Sequence, residues 1–234
     1  MTRAIKRKRY YDYKTKNTSF IKVAGELKAQ GVKNYMFHLE VKDPTLIGVD
    51  PYDPNLSIEM KTRIYREVKI NFWYFIRECI RIPVPGKNVM YDLHRGNLAM
   101  SFCMLYNLDT ILMLPRQHYK TYSAAVYYLW VTLYSAENYT MAISHKSATD
   151  AFANLKRIMD IVDEGGLPDY LVAHVGDKND IDRQDQSTIA HTNNTIKTVS
   201  PPTSVQMADK AGRGMTVKLL RSLKYINCWK LLRA

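Results

Sequence analysis

Lys120 and Thr121 are the side chains of this sequence whose types and setting best suit phosphate chemistry. They follow an apolar run at residues 110–114 and the segment Pro-Arg-Gln-His-Tyr at 115–119, and the stretch 121–134 after them can be helical. A lysine ammonium neutralises the β and γ phosphates of a nucleotide, and a Ser/Thr hydroxyl at a helix N-terminus binds Mg²⁺. The pattern indicates a loop for ATP and Mg²⁺. The other reading is a buried strand that merely precedes Lys-Thr.

The candidate loop departs from the full phosphate-loop pattern GxxxxGK[ST] at two positions. Leu114 and Tyr119 stand where that pattern has glycines. A residue with a Cβ disfavours the backbone conformations that glycine adopts freely, and a tyrosine ring at 119 would crowd the phosphates. Two outcomes are open: the loop adopts a glycine-free geometry with the ring turned outward, or the nucleotide binds weakly.

Two segments resemble the large terminase subunit of tailed bacteriophages. The first is PRQHYKT, residues 115–121, which is similar to that family's deviant phosphate loop, Arg-Gln-x-Gly-Lys-Ser/Thr. Four residues fall in register with it: Arg116, Gln117, Lys120 and Thr121. The second is SPPTSVQMADKAGRGMT, residues 200–216, which resembles the segment between a β-hairpin and the strand that carries the second nucleotide motif. Together the resemblance covers about residues 60–217.

The resemblance implies a motor that hydrolyses ATP to move double-stranded DNA into a procapsid, with an N-terminal ATPase domain and a C-terminal nuclease domain. It implies that Lys120 neutralises the β and γ phosphates, that Thr121 holds Mg²⁺, and that Arg116 senses or stabilises the γ-phosphate. Arg213, in a Gly-Arg-Gly turn, is a weaker candidate for charge stabilisation. The whole implied nucleotide-binding loop is Arg116, Gln117, His118, Tyr119, Lys120 and Thr121.

The same resemblance implies partners and a location. They are the portal protein, the small terminase subunit and further copies of the complete chain, which would form a homo-oligomer. The implied location is the host cell cytoplasm and, transiently, the procapsid portal.

Hydrolysis also needs a strand that ends in Asp-Glu, where the Asp binds Mg²⁺ and the Glu polarises water. Asp163 and Glu164 follow Ile161-Val162, but Val162 continues a helical spacing from Phe152, which predicts a helix end instead. The family's acidic strand is expected just after Thr216, yet no Asp or Glu follows Asp209. We therefore expect a truncated product with little or no turnover and no nuclease activity. The alternative is a catalytically dead basic module, derived from a terminase, that binds DNA or a partner.

The elements predicted around these residues form an α/β fold: a three-layer P-loop NTPase core with a parallel sheet, a β-hairpin near residues 188–200 and a helical N-terminal lead-in. A long amphipathic helix is predicted from Ile58 to Cys79, a strand over 139–143, a helix over 147–162, and a two-residue Asn193-Asn194 turn in the hairpin. Three regions are expected: a basic arm and irregular lead-in at 1–55, a partial ATPase domain at 56–217 and a divergent basic tail at 218–234. The tail can also be read as a basic amphipathic helix.

Composition limits the classes of protein to which this chain can belong. With 34 Lys+Arg against 22 Asp+Glu the net charge is +12, and seven basic residues against Asp12 alone occupy the first sixteen positions. This arm is either a polyanion contact or a solvated tail. Three widely spaced cysteines favour neither a disulfide framework nor a zinc site. No apolar window long enough for a membrane span is present.

Overall fold

The protein is a mixed α/β structure in two compact units. The computed structural model describes residues 8–108, 120–144, 148–172, 186–189, 191–199 and 217–220. The first unit comprises the chain up to Ile80 together with Met90–His94, and the second comprises Arg81–Val89 and the chain from Arg95 onward. In the residues described, no helix is long and apolar enough to span a bilayer.

The first unit contains more regular structure than the predicted lead-in. Its elements are β1 (Tyr10–Tyr11), α1 (Thr18–Ala29), a 3-10 turn (Phe37–Leu39), β2 (Glu40–Val41), a 3-10 turn (Pro44–Leu46), α2 (Ile58–Ile70), α3 (Phe72–Tyr74) and a π-helical turn (Phe75–Cys79). Strands β1 and β2 pair antiparallel. Helix α1 buries four apolar residues at helical spacing: Phe20, Val23, Ala24 and Leu27. Thus within the region 1–55, the described part from residue 8 contributes to a packed core.

The long helix predicted from Ile58 to Cys79 is interrupted at Asn71, which has an extended backbone. The Asn71 side chain accepts a hydrogen bond from the Tyr74 backbone N–H at 3.2 Å and so caps a new helix. Its amide group donates to the Glu40 carbonyl at 2.9 Å. An asparagine that bonds backbone groups in this way competes with the helix, so the apolar spacing continues while the helix does not.

Glu67 is turned inward from α2 and is 1% exposed. Its carboxylate accepts hydrogen bonds from the backbone N–H groups of Lys42 at 2.8 Å and Asp43 at 3.0 Å, and from the Asn71 side chain at 2.6 Å. A buried carboxylate is tolerated when donors satisfy it in this way. Glu67 therefore fixes the chain after β2 against α2.

The first unit is completed by a short return of the chain at Met90–His94. The Asn17 amide donates to the Tyr91 carbonyl at 2.9 Å, and the Leu93 backbone N–H donates to the Ser19 hydroxyl at 3.0 Å. Both bonds join the start of α1 to residues more than seventy positions later. The start of α1 therefore depends on this returning segment.

Among the described residues, the second unit is built on a mixed four-stranded sheet. Its elements are β3 (Arg81–Val84), β4 (Lys87–Met90), α4 (Arg95–Leu105), α5 (Lys120–Trp130), a π-helical turn (Val131–Ser135), β5 (Thr140–Ser144), α6 (Ala148–Asp163), α7 (Asp169–Val172), β6 (Gln186–Ile189), β7 (Asn194–Val199) and β8 (Val217–Leu220). The strand order is β6-β7-β5-β8, where β5 is parallel to β7 and β8, and β6 is antiparallel to β7. The predicted strand, helix and hairpin are confirmed, but the antiparallel β6 makes the sheet mixed. The three-layer P-loop core stays a prediction.

The turn of the β6–β7 hairpin differs from the predicted Asn193-Asn194 pair. Ile189 pairs with Asn194, so four residues connect the strands and Asn194 belongs to β7. Asn194 is fully buried, and its side chain donates to the carbonyls of Thr132 at 2.7 Å and Ala136 at 2.8 Å and accepts from the Tyr139 N–H at 2.7 Å. These hydrogen bonds satisfy the carbonyl groups at the end of the π-helical turn and align the starts of β5 and β7. Their contribution outweighs the preference of asparagine for a turn position.

We expect Asn194→Ala to lower the free energy of unfolding of the second unit by about 2 kcal/mol, because buried groups are left without hydrogen-bond partners. Hydrogen exchange in β5 and β7 measures this effect. The matched control is Asn88→Ala, since the exposed Asn88 amide also donates to a carbonyl at a helix end, that of Glu164, at 2.7 Å. Equal effects of the two substitutions would contradict the assigned role of Asn194.

Candidate functional site

Helix α5 begins at Lys120, so the predicted Lys-Thr pair stands in the first turn of a helix. Lys120 is half-buried and Thr121 is exposed. The first N–H groups of a helix lack intrahelical acceptors and carry a partial positive charge, which attracts anions. The first turn of α5 contains no acidic residue. An ammonium, a hydroxyl and the N–H groups of a first turn, all at one helix end, are suited to an anionic ligand and its metal ion.

The remaining residues of the predicted loop lie outside the described part of the chain: Arg116, Gln117, His118 and Tyr119. The same holds for the apolar run 110–114 and for Arg213. The choice between a glycine-free loop and a weak nucleotide site therefore stays a prediction.

After its first turn, helix α5 is buried in the core of the second unit. Every residue from Ser123 to Trp130 is buried, and a helix that is buried on all sides is typical of a domain core. It packs against α4 and α6. The small side chains of Ser123, Ala124 and Ala125 follow the Lys-Thr pair directly after Tyr122. The position of Lys120 and Thr121 is therefore fixed by core packing.

The carboxyl ends of three parallel strands lie at one edge of the sheet. Strand β5 ends at Ser144, β7 at Val199 and β8 at Leu220. In parallel α/β sheets, ligands bind outside this edge. Helix α6, which follows β5, packs on β5 and β7 and so covers one face of the sheet. The topology provides a suitable edge for a nucleotide site.

Strand β8 lies where the second nucleotide motif is expected along the chain. It begins at Val217, directly after the segment 200–216, and pairs in parallel with β5. No carboxylate side chain occurs in Val-Lys-Leu-Leu or in the sequence after it. Residues 217–220 form a strand, so the reading of the tail as an amphipathic helix is wrong for Leu219 and Leu220; the tail after Leu220 lies outside the described residues. A strand is thus present at this place without the acid that hydrolysis requires.

The other candidate acids, Asp163 and Glu164, lie at the end of helix α6, as predicted. Gly165 has φ +73°, and the Gly166 N–H donates to the Ile161 carbonyl at 2.8 Å, the pattern of a Schellman helix end. A Cβ on Gly166 would lie 2.4 Å from that carbonyl oxygen. The two glycines stop the helix here, so these acids are not at the end of a strand.

A buried charged cluster in the first unit was not foreseen from the sequence. Arg77 is fully buried, and its Nε donates to the Glu78 carboxylate at 2.7 Å while its Nη1 donates to the His38 carbonyl at 2.7 Å. Glu78 is 6% exposed. Adjacent Arg and Glu in a helical pattern usually indicate a solvated face, and no local signal distinguishes this pair from such a face. Within the described residues, no group of three or more His, Cys, Asp or Glu side chains is arranged to hold a metal ion.

His38 belongs to the same cluster and is fully buried. Its Nε2 donates to the Phe20 carbonyl at 2.9 Å, and its Nδ1 is buried without a hydrogen-bond partner in the described structure. Burial lowers the pKa of His38 to about 4; the hydrogen bond to Phe20 opposes this shift and the charge of Arg77 adds to it. His38 is therefore neutral at pH 7 and acts as a packing residue.

No family model matches this chain, and no curated protein matches it.

Proposed function

We propose that this chain is the ATP-binding motor part of a viral DNA-packaging terminase, which couples ATP hydrolysis to translocation of double-stranded DNA into a procapsid. The observation that carries the proposal is the start of α5: a half-buried lysine and an exposed threonine in the first turn of a core helix that lacks first-turn acids. The Arg-Gln-x-x-Lys-Thr pattern of the sequence supports the same reading.

In this proposal Lys120 binds the β and γ phosphates, and Thr121 holds Mg²⁺ through its hydroxyl. The N–H groups of the first turn of α5 bind phosphate oxygens. Arg116 stabilises the γ-phosphate, while Gln117, His118 and Tyr119 complete the loop. The metal ion neutralises developing charge on the phosphates. Core packing around Ser123 and the residues after it keeps the lysine and threonine in position.

The motor would act with partners. We propose that it binds double-stranded DNA, the portal protein and the small terminase subunit, and that complete copies form a homo-oligomer. It would be found in the host cell cytoplasm and, during packaging, at the procapsid portal. The net charge of +12 supports binding to a polyanion.

The test is calorimetric titration of ATP with Mg²⁺ into the full chain. We expect Lys120→Ala to weaken ATP binding at least about tenfold, because a charge-assisted contact of this kind contributes more than about 1.4 kcal/mol. The control is Lys156→Ala, which removes an exposed lysine that pairs with Asp160 on α6 at 2.8 Å. Equal affinities of the Lys120→Ala and unsubstituted proteins would refute the nucleotide site.

A second candidate function is a basic binding module without turnover. It is favoured by strand β8, which has no carboxylate side chain at its end. Either protein would release little phosphate from ATP, so the discriminating measurement is DNA binding with and without ATP and Mg²⁺. A motor part is expected to change its DNA affinity when ATP binds, whereas a catalytically dead module, in which ATP no longer acts on DNA binding, is not.

A further inference from the structure

One exposed face of the first unit combines lysines, an arginine and tyrosines; we call it the tyrosine–lysine surface. Its residues come from two segments: 8–14 and 28–36. The Arg9 guanidinium donates to the Asn34 side-chain oxygen at 3.4 Å. The Tyr13 hydroxyl donates to the Met36 sulfur. These bonds place the two segments side by side, although the bonded residues are 25 and 23 positions apart in sequence.

Cations stand over aromatic rings on both segments. The Lys8 ammonium is 5.4 Å from the centroid of the Tyr10 ring, and the Lys28 ammonium is 5.7 Å from that of Tyr35. Both distances are within the range of a cation–π interaction. The charges are thus held beside the rings of the same surface.

The surface is strongly positive. Its exposed cations are Lys8, Arg9, Lys14, Lys28 and Lys33. Asp12 is the only acid in either segment. Its side chain is 1% exposed and accepts hydrogen bonds from the backbone N–H groups of Lys14 at 2.8 Å and Gly48 at 3.1 Å. Its carboxylate is therefore directed into the protein and offers little competition to an anion outside.

Tyr13 presents an aromatic ring on the same surface. It is 56% exposed. Its pKa is raised, first by partial burial and then by the neighbouring hydroxyls of Tyr35 and Tyr11. Its hydroxyl therefore stays protonated. The exposed ring offers a stacking face to a base.

We propose that the tyrosine–lysine surface binds single-stranded nucleic acid. Cations would follow the phosphates, and the Tyr13 ring would stack on a base, as in sites that bind single strands without sequence preference. A DNA duplex would bind the cations of the surface but would not stack on the Tyr13 ring, because its bases are already stacked on each other. An anionic membrane would likewise bind through the cations alone. The surface lies wholly in the first unit and does not depend on a nucleotide at α5.

The test is fluorescence anisotropy of a labelled oligothymidine with the full chain, in several salt concentrations. We expect Tyr13→Ala to weaken binding roughly tenfold, since base stacking on an aromatic side chain contributes about 1–3 kcal/mol. Tyr13→Phe keeps the ring and should retain most of the affinity. Lys8→Gln combined with Arg9→Gln should reduce the salt slope by about 0.7 for each phosphate that the protein no longer neutralises.

Tyr106→Ala is the matched control, because Tyr106 is also 56% exposed and lies in the second unit. It should bind as the unsubstituted protein does. Circular dichroism of each variant establishes that it is folded. The proposal is overturned if Tyr13→Ala and Tyr106→Ala bind oligothymidine equally, if Tyr13→Ala weakens the binding of duplex DNA as much as that of oligothymidine, or if phosphatidylserine vesicles bind while oligothymidine does not.

Discussion

Replacing Arg77 by methionine is expected to destabilise the first unit by about 3–5 kcal/mol, the usual cost of breaking a buried ion pair from one side. The substitution preserves much of the side-chain volume but removes the guanidinium that lies 2.7 Å from the Glu78 carboxylate, in a residue that is 6% exposed. The His38 carbonyl is also deprived of its donor at 2.7 Å. Hydrogen exchange of amides in α1 and α2 would measure this destabilisation separately from the second unit.

Two further variants test whether the destabilisation by Arg77→Met comes from breaking the buried ion pair. Arg63→Met removes a partly exposed guanidinium that pairs with Glu59 at 2.8 Å on α2, and exposed pairs contribute only about 0–1 kcal/mol. Adding Glu78→Gln to Arg77→Met removes the buried carboxylate charge that Arg77 balanced, so the double variant should recover part of the stability. If Arg77→Met costs no more than Arg63→Met, the cluster does not stabilise the unit.

Acidification is expected to destabilise the first unit through His38. Its pKa is about 4 in the folded protein and near 6.5 when unfolded. The unfolded chain therefore binds more protons between these values, and stability that is present above pH 6.5 is lost as the pH falls towards 4. The decrease attributable to His38 amounts to about 3 kcal/mol at 1.36 kcal/mol per pKa unit.

The structural reason for this decrease is that protonated Nδ1 would have no acceptor and would face the charge of Arg77. His38→Gln separates this effect from carboxyl groups that titrate in the same range. The glutamine amide can still donate to the Phe20 carbonyl but does not gain a proton. Hydrogen exchange at pH 7 and pH 4.5 should show a smaller drop in stability for the variant. Parallel pH profiles would rule out His38 as the cause.

The second unit was largely predictable because its elements carry local signals. Apolar residues at helical spacing predicted α6 nearly residue by residue, and the Gly165-Gly166 pair marked its end. The Lys-Thr pair was likewise expected at the start of a helix, and α5 begins there. The turn of the hairpin was misplaced, because Asn194 suits a turn locally but bonds three backbone groups in the fold.

The first unit was harder to predict because distant partners determine its polar residues. Glu67 bonds the chain at residues 42 and 43, and Arg77 bonds the carbonyl of His38, 39 positions earlier. Asn71 likewise bonds Glu40. In a periodicity pattern all three side chains resemble an exposed helix face. They become interior groups only because the chain at residues 38–43 packs against α2 and the π-helical turn.

The segment Met90–His94 has a consequence for how the protein is made. Asn17 and Ser19, at the start of α1, bond to Tyr91 and Leu93. As the chain is synthesised, the first unit therefore cannot close when residue 80 appears, and must await residue 94. At about 5–20 residues per second this delay is on the order of one second. During that interval the nascent unit would expose core surface, and a chaperone that holds apolar segments would have its best opportunity to bind.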